Sequence, residues 1–216
     1  MSEITTLIDE RHVRYITEHT LAEDSFLKDL KREAAAAGIP PIWIAPAQAS
    51  FVQIMLKLGK AREVVEVGTL AGYSAIVMAR ALPRGGKVRT IELETKHADF
   101  AERWVAKSDV ADRVEVLRGS GLDVLPRLAA ASADAAFLDA DKGNYPRYLT
   151  ECLRIVRPGG LLMADNAFAF GELFNDKPSD REVPAIRQFN EIMSREPALA
   201  SIIVPLGDGL WVGVRR

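Results

Sequence analysis

The chain has 216 residues, 48% hydrophobic and 27% charged, with a formal net charge of −2, which fits one globular domain with a two-sided core. That near-neutral balance gives no broad basic field and speaks against a nucleic-acid partner. No apolar run approaches the ~20 residues of a membrane span, the opening MSEITTLIDERHVRYITEH has no apolar signal segment, and a cytoplasmic protein is expected.

Helical spacing is predicted first over residues 4–18 and 21–37, the second ending at Gly38. The stretch IPPIWIAP then interrupts with three prolines. A third helix, 47–58, carries Phe51, Ile54, Met55 and Leu58 on one face. From there strands and helices alternate: strand Glu63–Val67, helix 72–82, strand 87–93, helix 96–108, strand 113–117, helix 122–131 despite its proline, strand 133–139, helix 145–156, strand 159–165. Short connections between such units define a parallel sheet covered on both faces. Cys152, the one cysteine, falls in a helix and reads as a small core residue. A last helix, Val183–Arg195, leads to strands 200–206 and 210–216 around Gly207-Asp208-Gly209, which reads as a hairpin. The expected fold is α/β: a Rossmann-like, mostly parallel seven-stranded sheet with an antiparallel terminal hairpin. One domain is expected, with residues 1–45 as helices and a loop over the site and 46–216 as the core.

Open α/β sheets bind ligands beyond the carboxyl ends of their strands. After the first strand comes EVGTLAGYS, where Gly68 and Gly72 permit a tight turn and close approach. Glu92 ends the second strand, at the distance where an acid accepts from a ribose diol, although a solvated strand end also fits. The glycine spacing is not G-x-G-x-x-G, and Glu66 places negative charge where a pyrophosphate would lie. That disfavours NAD and suits S-adenosylmethionine, with its ammonium and sulfonium. Ser120, after the third strand, offers a hydroxyl to an adenine, or caps a helix.

The fourth strand closes on FLDADKGNY and the fifth on MADNAF. If these strands are neighbours, Asp139 and Asp165 approach each other, and two such carboxylates share a proton or a cation. With Asn166 they form an oxygen set suited to Mg²⁺, with Mn²⁺ or Ca²⁺ as alternatives, provided the strand has ended so that consecutive side chains can converge. Two unrelated strand ends are the simpler alternative. Lys142 reads on its own as a surface lysine paired with Asp141. Trp43, Phe168 and Phe170 are either core or a water-excluding mouth. His12, His19 and His97 have no metal-motif spacing.

The stretches VVEVGTLAGYSAIVMARALPRGGKV, FLDADKGNY, VRPGGLLMADN and PLGDGLWVG, in this order, resemble the class I S-adenosylmethionine-dependent O-methyltransferases, and among them the cation-dependent caffeoyl-CoA and catechol group with its small bacterial members. The resemblance implies metal ligation by Asp139, Asp165 and Asn166, and Lys142 as catalytic base beside Asp139. It implies donor contacts from Ile44, Glu66, Gly68, Thr69, Ser74, Glu92, Gly121 beside Ser120, and Asp141. It further implies a homodimer and a small aromatic hydroxylated acceptor of catechol type, methylated on one hydroxyl. A cation nearby would lower the Lys142 pKa. Two segments depart from the pattern: IWIAPAQAS matches loosely, and NAFAFGELF lacks a tryptophan that many members carry. A non-catechol acceptor, an NAD-type oxidoreductase and a non-catalytic nucleoside binder are the alternatives.

Overall fold

A computed structural model describes residues 8–216. Its sheet has seven strands in the order β3-β2-β1-β4-β5-β7-β6. These are β1 (Glu63–Val67), β2 (Lys87–Glu92), β3 (Val114–Arg118), β4 (Ala133–Leu138), β5 (Val156–Ala164), β6 (Leu199–Val204) and β7 (Leu210–Arg215). The first five pair in parallel. The terminal hairpin runs antiparallel, β7 against β5 and β6 against β7. This is the expected architecture, and it puts the β1–β4 junction where the order reverses, the usual place for a ligand crevice.

Alternation along each strand explains the continuous apolar runs. Val64, Ala135, Phe137, Leu161 and Met163 face one layer, with α3 (Pro46–Leu58) and α4 (Tyr73–Ala81). Val65, Ala136, Leu138, Leu162 and Ala164 face the other, with α7 (Tyr145–Ile155) and α8 (Val183–Arg195). Both faces are buried, so neither parity can be polar. Phe137, fully buried mid-sheet, contributes about 2–3 kcal/mol by its burial. Cys152 is buried among the α7 contacts, and burial pushes its thiol up to about 12, as a core residue would be.

Local differences have local causes. The expected helix over 122–131 is only α6 (Gly121–Val124) and a 3-10 turn, Leu125–Arg127; Pro126 lacks the N–H that a further α-turn needs. Strand β6 stops at Val204, just before Pro205. Helix α2 (Ser25–Ala36) starts later than 21, because Asp24 caps it by accepting from the Leu27 N–H at 2.9 Å. Helix α1 (Glu10–Glu18) starts at its Asp9 cap; the expected turn over 4–7 lies outside the described residues. Helix α5 (Thr95–Lys107) completes the set. No helix among the described residues is long and apolar enough to cross a membrane.

Candidate active site

At the carboxyl ends of β1, β2, β3 and β4 lies a cleft of about 380 Å³, floored by Val67–Ala71 and walled by Glu92, Ser120, Gly121 and Asp141. A second cavity, of about 720 Å³, opens beside it and is lined by Gln48, Asp139, Lys142, Asp165, Asn166 and Asp208. Residues 42–44 and 139–141 belong to both. The two spaces therefore meet at the loop before α3 and at the end of β4.

The first cleft is framed by backbone. Gly68 has φ 102, and a Cβ there would sit 1.9 Å from the Asp139 carbonyl oxygen. The glycine lets β1 pass against β4, so it closes the junction itself; ligand approach is not its first reason. Gly72 opens α4 at φ 84. Gly121 is held to glycine by packing, since a Cβ would meet Tyr148 at 2.7 Å and Val67 at 2.9 Å. Ser120 caps α6 by accepting from the Leu122 N–H at 3.0 Å, and it also lines the cleft, so its two sequence readings coexist.

Glu92 is buried, not a solvated strand end. One carboxylate oxygen accepts from the Leu70 N–H at 2.8 Å and the other from the Glu94 N–H at 2.9 Å. Its orientation is fixed before any ligand arrives. His97 Nδ1 stands 3.6 Å away on the same wall, a neighbour that sequence spacing did not suggest. Thr69 is buried, its hydroxyl 2.6 Å from that of Thr90. Ile44 and Ser74 also line the cleft.

Glu66 lies beneath the floor rather than on it. It is fully buried, and neither carboxylate oxygen has a hydrogen-bond partner. Burial pushes its pKa up to about 8. The Ser74 and Thr90 hydroxyls pull the other way without closing a bond, and the charges of Asp139 and Glu92 add to the rise.

The second cavity holds the acids of β4 and β5. Leu138 pairs with Ala164, and the Asp165 N–H donates to the Leu138 carbonyl at 3.0 Å, so Asp139 and Asp165 leave adjacent strands side by side. Burial and then the Asp139 charge push the Asp165 carboxyl up to about 7. Gln48, from α3, donates to Asp165 Oδ1 at 2.5 Å. Strand β5 has ended at Ala164, and Asn166 sits at φ 68, the left-handed break that two consecutive inward side chains require. Ala169 and Phe170 follow with φ 54 and 58, and non-glycine strain of this kind gathers at functional loops. Among the described residues no three His, Cys, Asp or Glu side chains are gathered as a metal group; the oxygen set here is two carboxylates and an amide.

Lys142 is buried and pairs with Asp139 at 3.1 Å, not with Asp141. Its Nζ also donates to the Tyr145 hydroxyl at 2.8 Å. Burial works against its charge, yet Tyr145 and Asp139 outweigh it and hold the ammonium above its ordinary range. Lys142 is thus the counter-ion of Asp139. Asp141 instead accepts from Tyr148 at 2.6 Å and Asn144 at 2.5 Å. Trp43 lines both spaces and Phe170 the second; Phe168 lines neither and packs on Gly209.

Gln48, Tyr145, Tyr148 and Asp208 are the site residues that sequence reasoning passed over. Tyr145 ended the FLDADKGNY motif. Asp208 read only as a turn residue, yet it accepts from Asn166 Nδ2 at 3.1 Å and from the Phe170 N–H at 2.8 Å.

A doubly wound sheet with a reversed terminal hairpin, a nucleoside-sized cleft at its switch point and a second cavity joined to it defines a Rossmann-like methyltransferase. The family model described as O-methyltransferase matches residues 17–216. The chain belongs to that family and is an S-adenosylmethionine-dependent O-methyltransferase. It is 35% identical to a catechol O-methyltransferase of Niastella koreensis, over 94% of this chain and 90% of the relative. An O-methyltransferase from Bacillus cereus, solved in complex with SAH, superposes with a TM-score of 0.85 at 34% identity, covering 94% and 96% of the two chains. Another, from Streptomyces achromogenes, involved in tomaymycin synthesis and solved with SAM, gives 0.82 at 30% identity over 94% of each chain. The oxidoreductase alternative falls with this membership.

Proposed function

We propose that the enzyme methylates one hydroxyl of a catechol-type, vicinal dihydroxy aromatic, with a divalent cation held by Asp139, Asp165 and Asn166. One observation carries this reading. The donor cleft and the second cavity join at residues 139–141, and on the acceptor side Asp139 and Asp165 leave adjacent strands side by side, where burial first and then the Asp139 charge push Asp165 toward its neutral form. A charge pair of that kind fits a hard cation, Mg²⁺ first. Asn166 completes the set, since its amide nitrogen is engaged by Asp208 and its oxygen is left for the ion. Catechol as acceptor also agrees with the name of the Niastella relative.

When bound, the donor supplies an electrophilic methyl on a cationic sulfur, and the cation supplies Lewis acidity that lowers a phenol's pKa from about 10. The chain's own groups bind and orient. Glu92 accepts from the ribose hydroxyls with oxygens already aimed. Thr69 and Ser74 flank the methionine end, above Glu66, and Gly68 closes the floor. Ser120 and Gly121 adjoin the adenine. Ile44 and Asp141, on the shared wall, keep donor and acceptor in line. With Asp139 committed to a cation, Lys142 would lose its counter-ion, release its own proton to solvent, and as the neutral amine take the acceptor's proton at Nζ. Residues 46–216 form the catalytic core, and the helices and loop through 45 its cover. Helix α1 buries none of its side chains, and its exposed Val13 and Tyr15 suit a homodimer contact, which light scattering reads directly.

Labelled S-adenosylmethionine with a panel of catechols, with and without EDTA, tests the reading. Methyl transfer that EDTA abolishes and Mg²⁺ restores is expected. Transfer only to mono-hydroxy acceptors, or transfer indifferent to chelation, removes it in favour of a non-catechol acceptor.

A further inference from the structure

We propose that Asp180 and Glu182 are specificity-determining residues that make the second cavity select its acceptor by charge, favouring an amine-bearing diol and rejecting a carboxylated or phosphorylated one. The inference rests on the acceptor reading above and adds the side-chain chemistry of that acceptor.

The wall of this cavity carries Asp139, Asp141, Asp165, Asp180, Glu182 and Asp208, against Lys142 as its one basic side chain among the described residues. Most of these acids have partners. Asp139 holds Lys142. When a divalent cation is present it balances Asp139 and Asp165 together, and the Lys142 charge, while it is kept, then offsets one of the remaining acids. Asp141 takes two neutral donors and faces the donor cleft, where S-adenosylmethionine brings one net positive charge. Asp180, Glu182 and Asp208 remain. Asp180 accepts only the Glu182 N–H, at 2.7 Å, and Glu182 only the Lys142 N–H, at 3.2 Å. Asp208 is occupied by Asn166 and Phe170. None of the three forms an ion pair among the described residues. Arg181, between the first two, is exposed and is not on the cavity wall.

Asp180 and Glu182 are half-buried, so their field is screened less than that of surface acids. They are not gathered into a metal group; they act on the acceptor as a field. Phe170 on the same wall presents an aromatic ring, which also favours a cation over an anion, whereas the Trp43 ring already carries Lys31 Nζ 5.8 Å from its centroid. An acceptor carboxylate or phosphate would enter against net negative charge with no arginine to receive it. An ammonium would find two unpaired carboxylates.

Three diols on the same ring decide the matter: one neutral, one with an amine side chain, one with a carboxylate side chain. Initial rates are taken at saturating donor and Mg²⁺. The amine's kcat/KM is expected to exceed the carboxylate's by tenfold or more, mainly through KM, and the gap to narrow as salt is raised. In the double variant Asp180→Asn/Glu182→Gln the ratio falls toward one. The ratio is taken within one enzyme, so a general loss of folded protein cancels. A wild-type ratio near one or inverted, or a ratio that the double variant leaves unmoved, overturns charge selection alone. Turnover of none of the three, by protein that still binds S-adenosylhomocysteine, overturns the acceptor reading and this inference with it.

Discussion

The donor cleft is built from strand ends whose polar groups are already engaged: Glu92 accepts from two backbone N–H groups, the Thr69 hydroxyl meets that of Thr90, and the Gly68 N–H donates to the Ile91 carbonyl at 3.0 Å. The acceptor cavity is built from a left-handed loop after β5, one glutamine from α3, the turn of the terminal hairpin and the segment before α8. The first is rigid by topology, the second by side chains from four distant parts of the chain. A nucleoside donor is the same molecule for every such enzyme, and a fixed frame serves it. Acceptors differ, and the cavity that takes them rests on replaceable contacts.

One group breaks this symmetry. Glu66 lies beneath the saturated cleft with both oxygens unpaired. Its pKa is raised from 4.5 to about 8, so the folded chain keeps a proton that the unfolded chain has lost. Between these values the unfolded state binds fewer protons, and stability falls as pH rises through the window. The loss for this group is on the order of 5 kcal/mol by pH 9. Glu66→Gln cannot ionise. The variant should match the wild type near pH 4, gain on it steadily between about pH 4.5 and 8, and hold a constant advantage above that, by urea denaturation across pH. Parallel curves for the two proteins would mean that Glu66 finds a partner and that the donor floor is as saturated below as above.

The two spaces should also separate under single substitutions. Glu92→Gln leaves one clamp in place but weakens acceptance from a diol, and S-adenosylhomocysteine binding should fall about tenfold or more. Asp165→Ala should leave that binding within about threefold while transfer drops by roughly 10²-fold or more, as for other groups that stabilise developing charge. Calorimetry and initial rates read the two arms. If both variants lose donor binding equally, the cavities act as one site and the contrast is empty.

The same contrast explains what the amino-acid sequence reveals. Strand ends are legible, because an apolar run must stop and the residue at its stop is named by position. Glu92, Asp139, Asp165 and the break at Asn166 all come from that rule. Gln48 does not, because it reaches Asp165 across 117 residues and no local pattern marks it. Asp208 hides in a Gly-Asp-Gly turn whose glycines explain it well enough alone. The charge state of Lys142 is illegible for another reason: its burial and its choice of Asp139 over Asp141 depend on how a 3-10 turn, Lys142–Asn144, folds back on β4. The helix expected over 122–131 fails on one residue, Pro126, which local propensity should have weighted more heavily.

The smallest expected effect tests the most hidden of these contacts. Asp208 Oδ2 accepts from both Asn166 Nδ2 and the Phe170 N–H. The turn stays docked without that side chain, because Ala167 and Phe168 N–H groups donate to the Gly209 and Asp208 carbonyls at 2.8 Å each. Asp208→Ala therefore frees the Asn166 amide to rotate without unseating the hairpin. Mg²⁺ affinity and transfer should each drop about tenfold, the usual scale for a residue that orients a ligand. Asp208→Asn also loses the charge but keeps one oxygen able to accept from both donors, so it should recover most of the loss. Recovery assigns the effect to the direction in which Asn166 points; equal loss in both variants assigns it to charge. Unchanged Mg²⁺ binding in Asp208→Ala would show Asn166 held by its own left-handed backbone, and the acceptor cavity would then be as firmly framed as the donor cleft.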